Sequence, residues 1–143
     1  MSIKDVEGTI TFFYYDDLAR AEEFYGDLMG FEKVIDVGFA KVFKVSGDAH
    51  FGIVDGNRGS MRPTKDKPVM FTVIVDDIGA WYSRLKNVGV KIDQPPKEAS
   101  YLKMKTLLFK DPEGYIIEVL EFLLKPYGSD GDSRGQARNR DKL

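Results

Sequence analysis

Two short stretches sixty residues apart match in kind: Asp16-Asp17-Leu18 and Asp76-Asp77-Ile78 each follow an apolar run and precede apolar residues at helical spacing. The first run, Thr9 to Tyr15, is β-branched and aromatic throughout, which reads as a strand covered on both faces. After it, Leu18, Ala21, Phe24, Tyr25 and Leu28 recur at helical spacing, and Gly30 supplies a left-handed stop. Three short strands are predicted next, near Phe31 to Asp36, Phe39 to Val45 and His50 to Asp55, with Ser46-Gly47-Asp48 as a turn. The pattern then restarts. Val69 to Val75 is apolar, Ile78, Trp81, Tyr82, Leu85 and Val88 recur at helical spacing before Gly89, and strands follow near Val90 to Asp93, Tyr101 to Lys110 and Gly114 to Glu121. Each half is therefore βαβββ, and an internal duplication is the economical reading. The aspartates look like twin acids, but at a helix start a carboxylate accepts hydrogen bonds from the free N–H groups of the first turn, so capping is the stronger account.

The stretch from Gly56 to Lys67, rich in Gly, Pro, Arg and Lys, reads as a linker between repeats of about 6–55 and 68–124. These together make one domain, 1–124, while the small and charged residues of 125–143 read as a disordered polar tail. The chain has no cysteine, which excludes disulfides, thiolate metal sites and cysteine nucleophiles. A formal charge of −2 argues against nucleic acid or an anionic membrane as partner, since both demand clustered positive charge. With no apolar run behind a basic start and none of spanning length, a cytoplasmic protein is expected.

The helix start Asp-Leu-x-x-Ala-x-x-Phe-Tyr at Asp17 to Tyr25, the Gly-Phe-Glu at Gly30 to Glu32 and the Asp-Pro-Glu-Gly-Tyr-Ile-Ile-Glu at Asp111 to Glu118 resemble the vicinal oxygen chelate superfamily of glyoxalases, bleomycin resistance proteins and dioxygenases. That resemblance implies an α+β fold in which two tandem βαβββ modules form a curved, half-barrel-like mixed sheet with helices on the convex face and a ligand cavity on the concave one. Strand alternation then points Phe13, Tyr15, Val73 and Val75 toward the helices. The opposite set, Ile10, Phe12, Tyr14, Met70, Thr72 and Ile74, with Ile116, Glu118 and Leu120, would line the cavity. Trp81 and Tyr82, on the second helix, are expected in the core.

Metal-dependent relatives take donors from strands one, four, five and eight. The resemblance places those positions at Ile10, at Gly52 or Ile53 with His50 and Asp55 as outside candidates, at Met70, and at Glu118. Neither isoleucine nor methionine is a useful donor for a hard or borderline divalent ion, so no metal and no cofactor are expected. The single histidine, His50, also excludes a two-histidine iron site. Glu118 is the candidate catalytic residue, as a general base whose pKa an apolar cavity would raise. The expected ligand-binding set is Ile10, Phe12, Tyr14, Met70, Thr72, Ile116 and Glu118. Metal-independent binding of an apolar or aromatic small molecule is the leading function, in a chain expected to form a homodimer. A glyoxalase-like metalloenzyme using Glu118 and a non-catalytic accessory or regulatory domain are the rivals.

Overall fold

The computed structural model describes residues 5–124, so the tail of 125–143 lies outside the described residues. The fold is α+β, with element order β1 (Thr9–Tyr15), α1 (Leu18–Glu23), β2 (Glu32–Asp36), β3 (Ala40–Ser46), β4 (Ala49–Asp55), β5 (Met70–Ile74), α2 (Ile78–Asn87), β6 (Ile92–Ala99), β7 (Met104–Lys110) and β8 (Ile116–Phe122). The strands make two open four-stranded sheets, ordered β1-β4-β3-β2 and β5-β8-β7-β6, each with one parallel pair at the β1/β4 or β5/β8 seam. Two compact units result: 5–67 with 111–114, and 68–110 with 115–124. No helix among the described residues is long and apolar enough to cross a membrane.

Local chemistry accounts for the helix ends. Asp17 Oδ1 accepts from the Arg20 backbone N–H at 3.1 Å and Asp77 Oδ1 from that of Ala80 at 3.0 Å, so the second aspartate of each pair is the cap. Gly30 and Gly89 take positive φ values of 80° and 86° just beyond the helices, where a Cβ would be strained. α1 continues into a π-helical turn, Phe24–Leu28, that brings Phe24 and Tyr25 onto the sheet.

In the first unit the helix-side face carries Phe13, Tyr15, Phe51 and Ile53, all buried, together with Ala21, Phe24 and Tyr25. Phe13 meets Phe51 edge-on at 4.9 Å between ring centroids, and Tyr25 lies 4.6 Å from Phe51. The second unit buries Val73, Leu107, Phe109, Ile117 and Val119 with Ile78 and Leu85 of α2. Three expectations need correction. β1 is not covered on both faces, because Ile10 and Phe12 on its other side are 44% and 42% exposed. Trp81 and Tyr82 are only half-buried, with Lys86 Nζ 5.0 Å above the Tyr82 ring. β6 runs on to Ala99 rather than ending at Asp93, and β7 starts only at Met104, after a 3-10 turn and Lys103 at φ 54°.

Asp111 is the one buried charged residue of the described core, 5% exposed. Its Oδ2 accepts the hydroxyls of Tyr15 at 2.5 Å and Tyr25 at 2.7 Å, and the two hydroxyls lie 3.1 Å apart. Two residues on, the Glu113 carboxylate accepts the backbone N–H groups of Asp16 at 2.8 Å and Asp17 at 2.7 Å, just ahead of α1. The Asp-Pro-Glu-Gly turn thus belongs to the first unit although it leads directly into β8.

Burial above all, then the neighbouring Tyr25 and Asp111, holds the Tyr15 hydroxyl far above its ordinary value of 10.0. The native state therefore keeps that proton where the unfolded chain releases it, and stability from this group is complete below about pH 10 and falls above it. The limiting slope is about 1.4 kcal/mol per pH unit. Tyr15→Phe is expected to remove this component: urea unfolding at pH 10 and pH 11 should give a loss about 1 kcal/mol smaller in the variant than in the parent. Identical pH dependence in both proteins would show that the hydroxyl titrates freely.

Candidate functional site

The register of the parallel β1/β4 pair decides which side chains share the first unit's open face. Ile10 sits beside His50, Phe12 beside Gly52 and Tyr14 beside Val54. Of the strand-four candidates, Gly52 and His50 lie on this face, whereas Ile53 is fully buried on the helix side and Asp55 pairs with Tyr15 there. The choice turns on Gly47, whose φ of 50° allows the tight turn that closes Ser46 against Ala49. Gly52 is needed for a second reason. A Cβ on it would lie 2.4 Å from two ring carbons of Phe12, so the ring rests directly against the glycine backbone.

The loop after β4 supplies the wall. Asp55 O accepts the backbone N–H groups of Arg58 at 3.0 Å and Gly59 at 2.8 Å, Asp55 Oδ1 accepts that of Asn57 at 2.9 Å, and the Gly56 N–H reaches Tyr15 O at 2.8 Å. Gly59 then packs so closely that a Cβ would meet Val54 Cγ1 at 2.5 Å and Tyr14 Cε2 at 2.9 Å. The reading of this segment as a plain linker is therefore corrected for its first residues, which fold back onto the sheet. Between wall and sheet lies a cleft of about 500 Å³ lined by Phe12, Tyr14, Phe39, Ala40, Val54, Arg58, Gly59 and Ser60. The Arg58 guanidinium stands 5.2 Å above the Phe39 ring centroid, and Tyr14 OH lies 3.2 Å from Ser60 Oγ.

Phe12 and Tyr14 thus meet in one cleft, while Ile10 lies further along the same strand and does not line it. Phe39, Val54, Arg58, Gly59 and Ser60 were not among the sequence candidates. Alternation within β1 finds two of the cleft residues, but only the turn at Asp55 and the β3/β4 pairing bring the others beside them.

The remaining candidates sit together in the second unit. Met70 pairs with Ile116 and Thr72 with Glu118 along the β5/β8 seam. The Thr72 hydroxyl donates to Glu118 Oε1 at 2.8 Å, and both residues are half-buried. Leu108 flanks Glu118 on the other side, and Leu120 beyond it is buried, 8% exposed, so it adds little to an open surface. On this sheet Glu118 is a hydrogen-bonded carboxylate between a threonine and a leucine.

Residue chemistry also tests the metal that the resemblance implies. On the first unit's open face the β1/β4 seam offers Ile10, His50, Phe12 and Gly52, of which only His50 is a donor for such an ion. The β5/β8 seam offers Met70, Ile116, Thr72 and Glu118, with the glutamate already accepting a hydroxyl proton. Among the described residues no three His, Asp or Glu side chains are grouped as a metal site would require. The donor set does not fit the metal.

The family model described as the Glyoxalase/Bleomycin resistance protein/Dioxygenase superfamily matches residues 8–119. The chain belongs to this superfamily. Among its glyoxalase-superfamily neighbours in solved structures is the lactoylglutathione lyase of Agrobacterium tumefaciens, 24% identical with a TM-score of 0.67, covering 82% of this chain and 95% of that one. A second similar structure is TioX of Micromonospora sp. ML1, at 17% identity and a TM-score of 0.68, covering 81% of this chain and 98% of the other. In sequence, the chain is 23% identical to YraH of Bacillus subtilis over 118 residues, 76% of this chain and 92% of that protein. At these identities the likeness establishes the glyoxalase fold and leaves the chemistry to the residues present.

Proposed function

We propose that this glyoxalase-superfamily chain binds a small apolar or aromatic molecule in the cleft of its first unit, and does so without a metal ion. The observation that carries the reading is the cleft itself: about 500 Å³, with Phe12 seated on Gly52 and with Tyr14, Phe39 and Val54 around it. Such a volume is in the range of pockets that take small molecules, and aromatic walls give affinity through apolar area with little conformational entropy to lose. On the second unit's own sheet, Glu118, Thr72, Met70 and Ile116 are proposed as a separate ligand-contact surface, with the glutamate as a polar anchor rather than a base. The hydrogen bond from the Thr72 hydroxyl already occupies one of its oxygens.

The test is binding of a neutral fluorescent naphthalene, N-phenyl-1-naphthylamine, with and without EDTA. Saturable binding at one site per chain is expected, unchanged by the chelator, as is the melting temperature. Elemental analysis showing one tightly held transition metal per chain, with probe affinity lost on chelation, would overturn metal independence.

A further inference from the structure

The cleft contains one formal charge, and it is positive. None of its lining residues is acidic, and among the described residues the Arg58 guanidinium forms no ion pair with a carboxylate. Its position is nonetheless defined at both ends, by the backbone bond to Asp55 O and by the guanidinium above Phe39. A guanidinium held over an aromatic face by cation–π attraction keeps its N–H donors, and their fork matches the two oxygens of a carboxylate. In the same lining, the paired hydroxyls of Tyr14 and Ser60 can donate or accept. Phe12 and Tyr14 supply faces for a flat ring. An uncharged apolar ligand would leave the arginine with no role beyond its cation–π attraction to Phe39.

We propose that the ligand of this cleft is an aromatic carboxylate, its ring against Phe12 and Tyr14 and its carboxylate on the Arg58 guanidinium. The proposal rests on the reading of the cleft as a ligand site. The chain as a whole carries a net charge of −2, so diffuse electrostatics disfavour an anion and any preference for one must come from a local cation.

A matched pair of probes, 2-naphthoate and 2-naphthamide, isolates the charge at constant ring size. Calorimetry or ligand-observed NMR at neutral pH is expected to show naphthoate binding at least roughly tenfold more tightly, as a charge-assisted bond outweighs a neutral one. Arg58→Gln should bring the two affinities to within about twofold by weakening naphthoate alone, and Arg58→Lys should restore part of the difference. Melting temperatures should stay together, since Arg58 is exposed. Equal binding of both probes by the parent, or a preference that survives in Arg58→Gln, overturns the carboxylate assignment and leaves the cleft reading intact. Failure of both probes and of the neutral naphthylamine to bind at millimolar concentration overturns the cleft reading and this inference with it.

Discussion

Replacing Asp111 by alanine is expected to lower the unfolding free energy by about 3 kcal/mol, with a fall of roughly 10 °C in melting temperature for a chain of this length. The carboxylate is 5% exposed and is the shared acceptor of two tyrosine hydroxyls, themselves on fully buried side chains. Its removal takes the shared acceptor from both hydroxyls, which then have one fewer acceptor between them away from water, and leaving a buried donor unmade costs far more than the net worth of the bond. It also releases the bond from the Glu113 N–H to Asp111 Oδ1, and with it the turn that places the Glu113 carboxylate on the N–H groups of Asp16 and Asp17. Asp111→Asn keeps an acceptor and should lose less than the alanine variant. Urea unfolding of both variants checks this, and a loss below about 1 kcal/mol for alanine would show that water replaces the carboxylate.

The second large effect is on binding rather than stability. Phe12→Ala is expected to weaken the naphthalene probes at least roughly tenfold, equivalent to about 1.4 kcal/mol, because it removes a ring surface of the cleft. Its cost in stability should stay below about 1 kcal/mol, since the ring is already 42% exposed and forms no part of the helix-side core. Gly52→Ala offers an independent route to the same site, as the added Cβ lies 2.4 Å from the ring carbons and must displace the ring from its seat. Fluorescence titration of both variants gives the measure. Unchanged affinity in Phe12→Ala would move the binding site away from β1.

Pro95 and Pro96 show how position within a sheet can overrule a local signal. The strand expected near Val90 to Asp93 in fact continues through both prolines to Ala99. β6 is an edge strand, and proline is tolerated where an N–H has no neighbour to bond. The register shifts between Ile92 and Gln94 and between Gln94 and Lys97 absorb the irregularity. Lys103 is the reverse case: nothing in its identity announces a positive φ, and the delayed start of β7 follows from the 3-10 turn preceding it.

By itself the sequence determined the repeated βαβββ order, the caps at Asp17 and Asp77, the stops at Gly30 and Gly89, and the alternation that puts Phe12 and Tyr14 on one side of β1 and Phe13 and Tyr15 on the other. These depend on neighbours a few residues away, on helical or strand periodicity and on backbone sterics, so they can be read locally. Only the tertiary structure decided the register of β4 against β1, the docking of Asp111 and Glu113 onto the first unit, and the meeting of Phe39 and Arg58 with Phe12 and Tyr14. Each depends on strand pairing or on a meeting of side chains between residues 25 to 97 positions apart, where the local pattern of either partner is the same whether or not they meet.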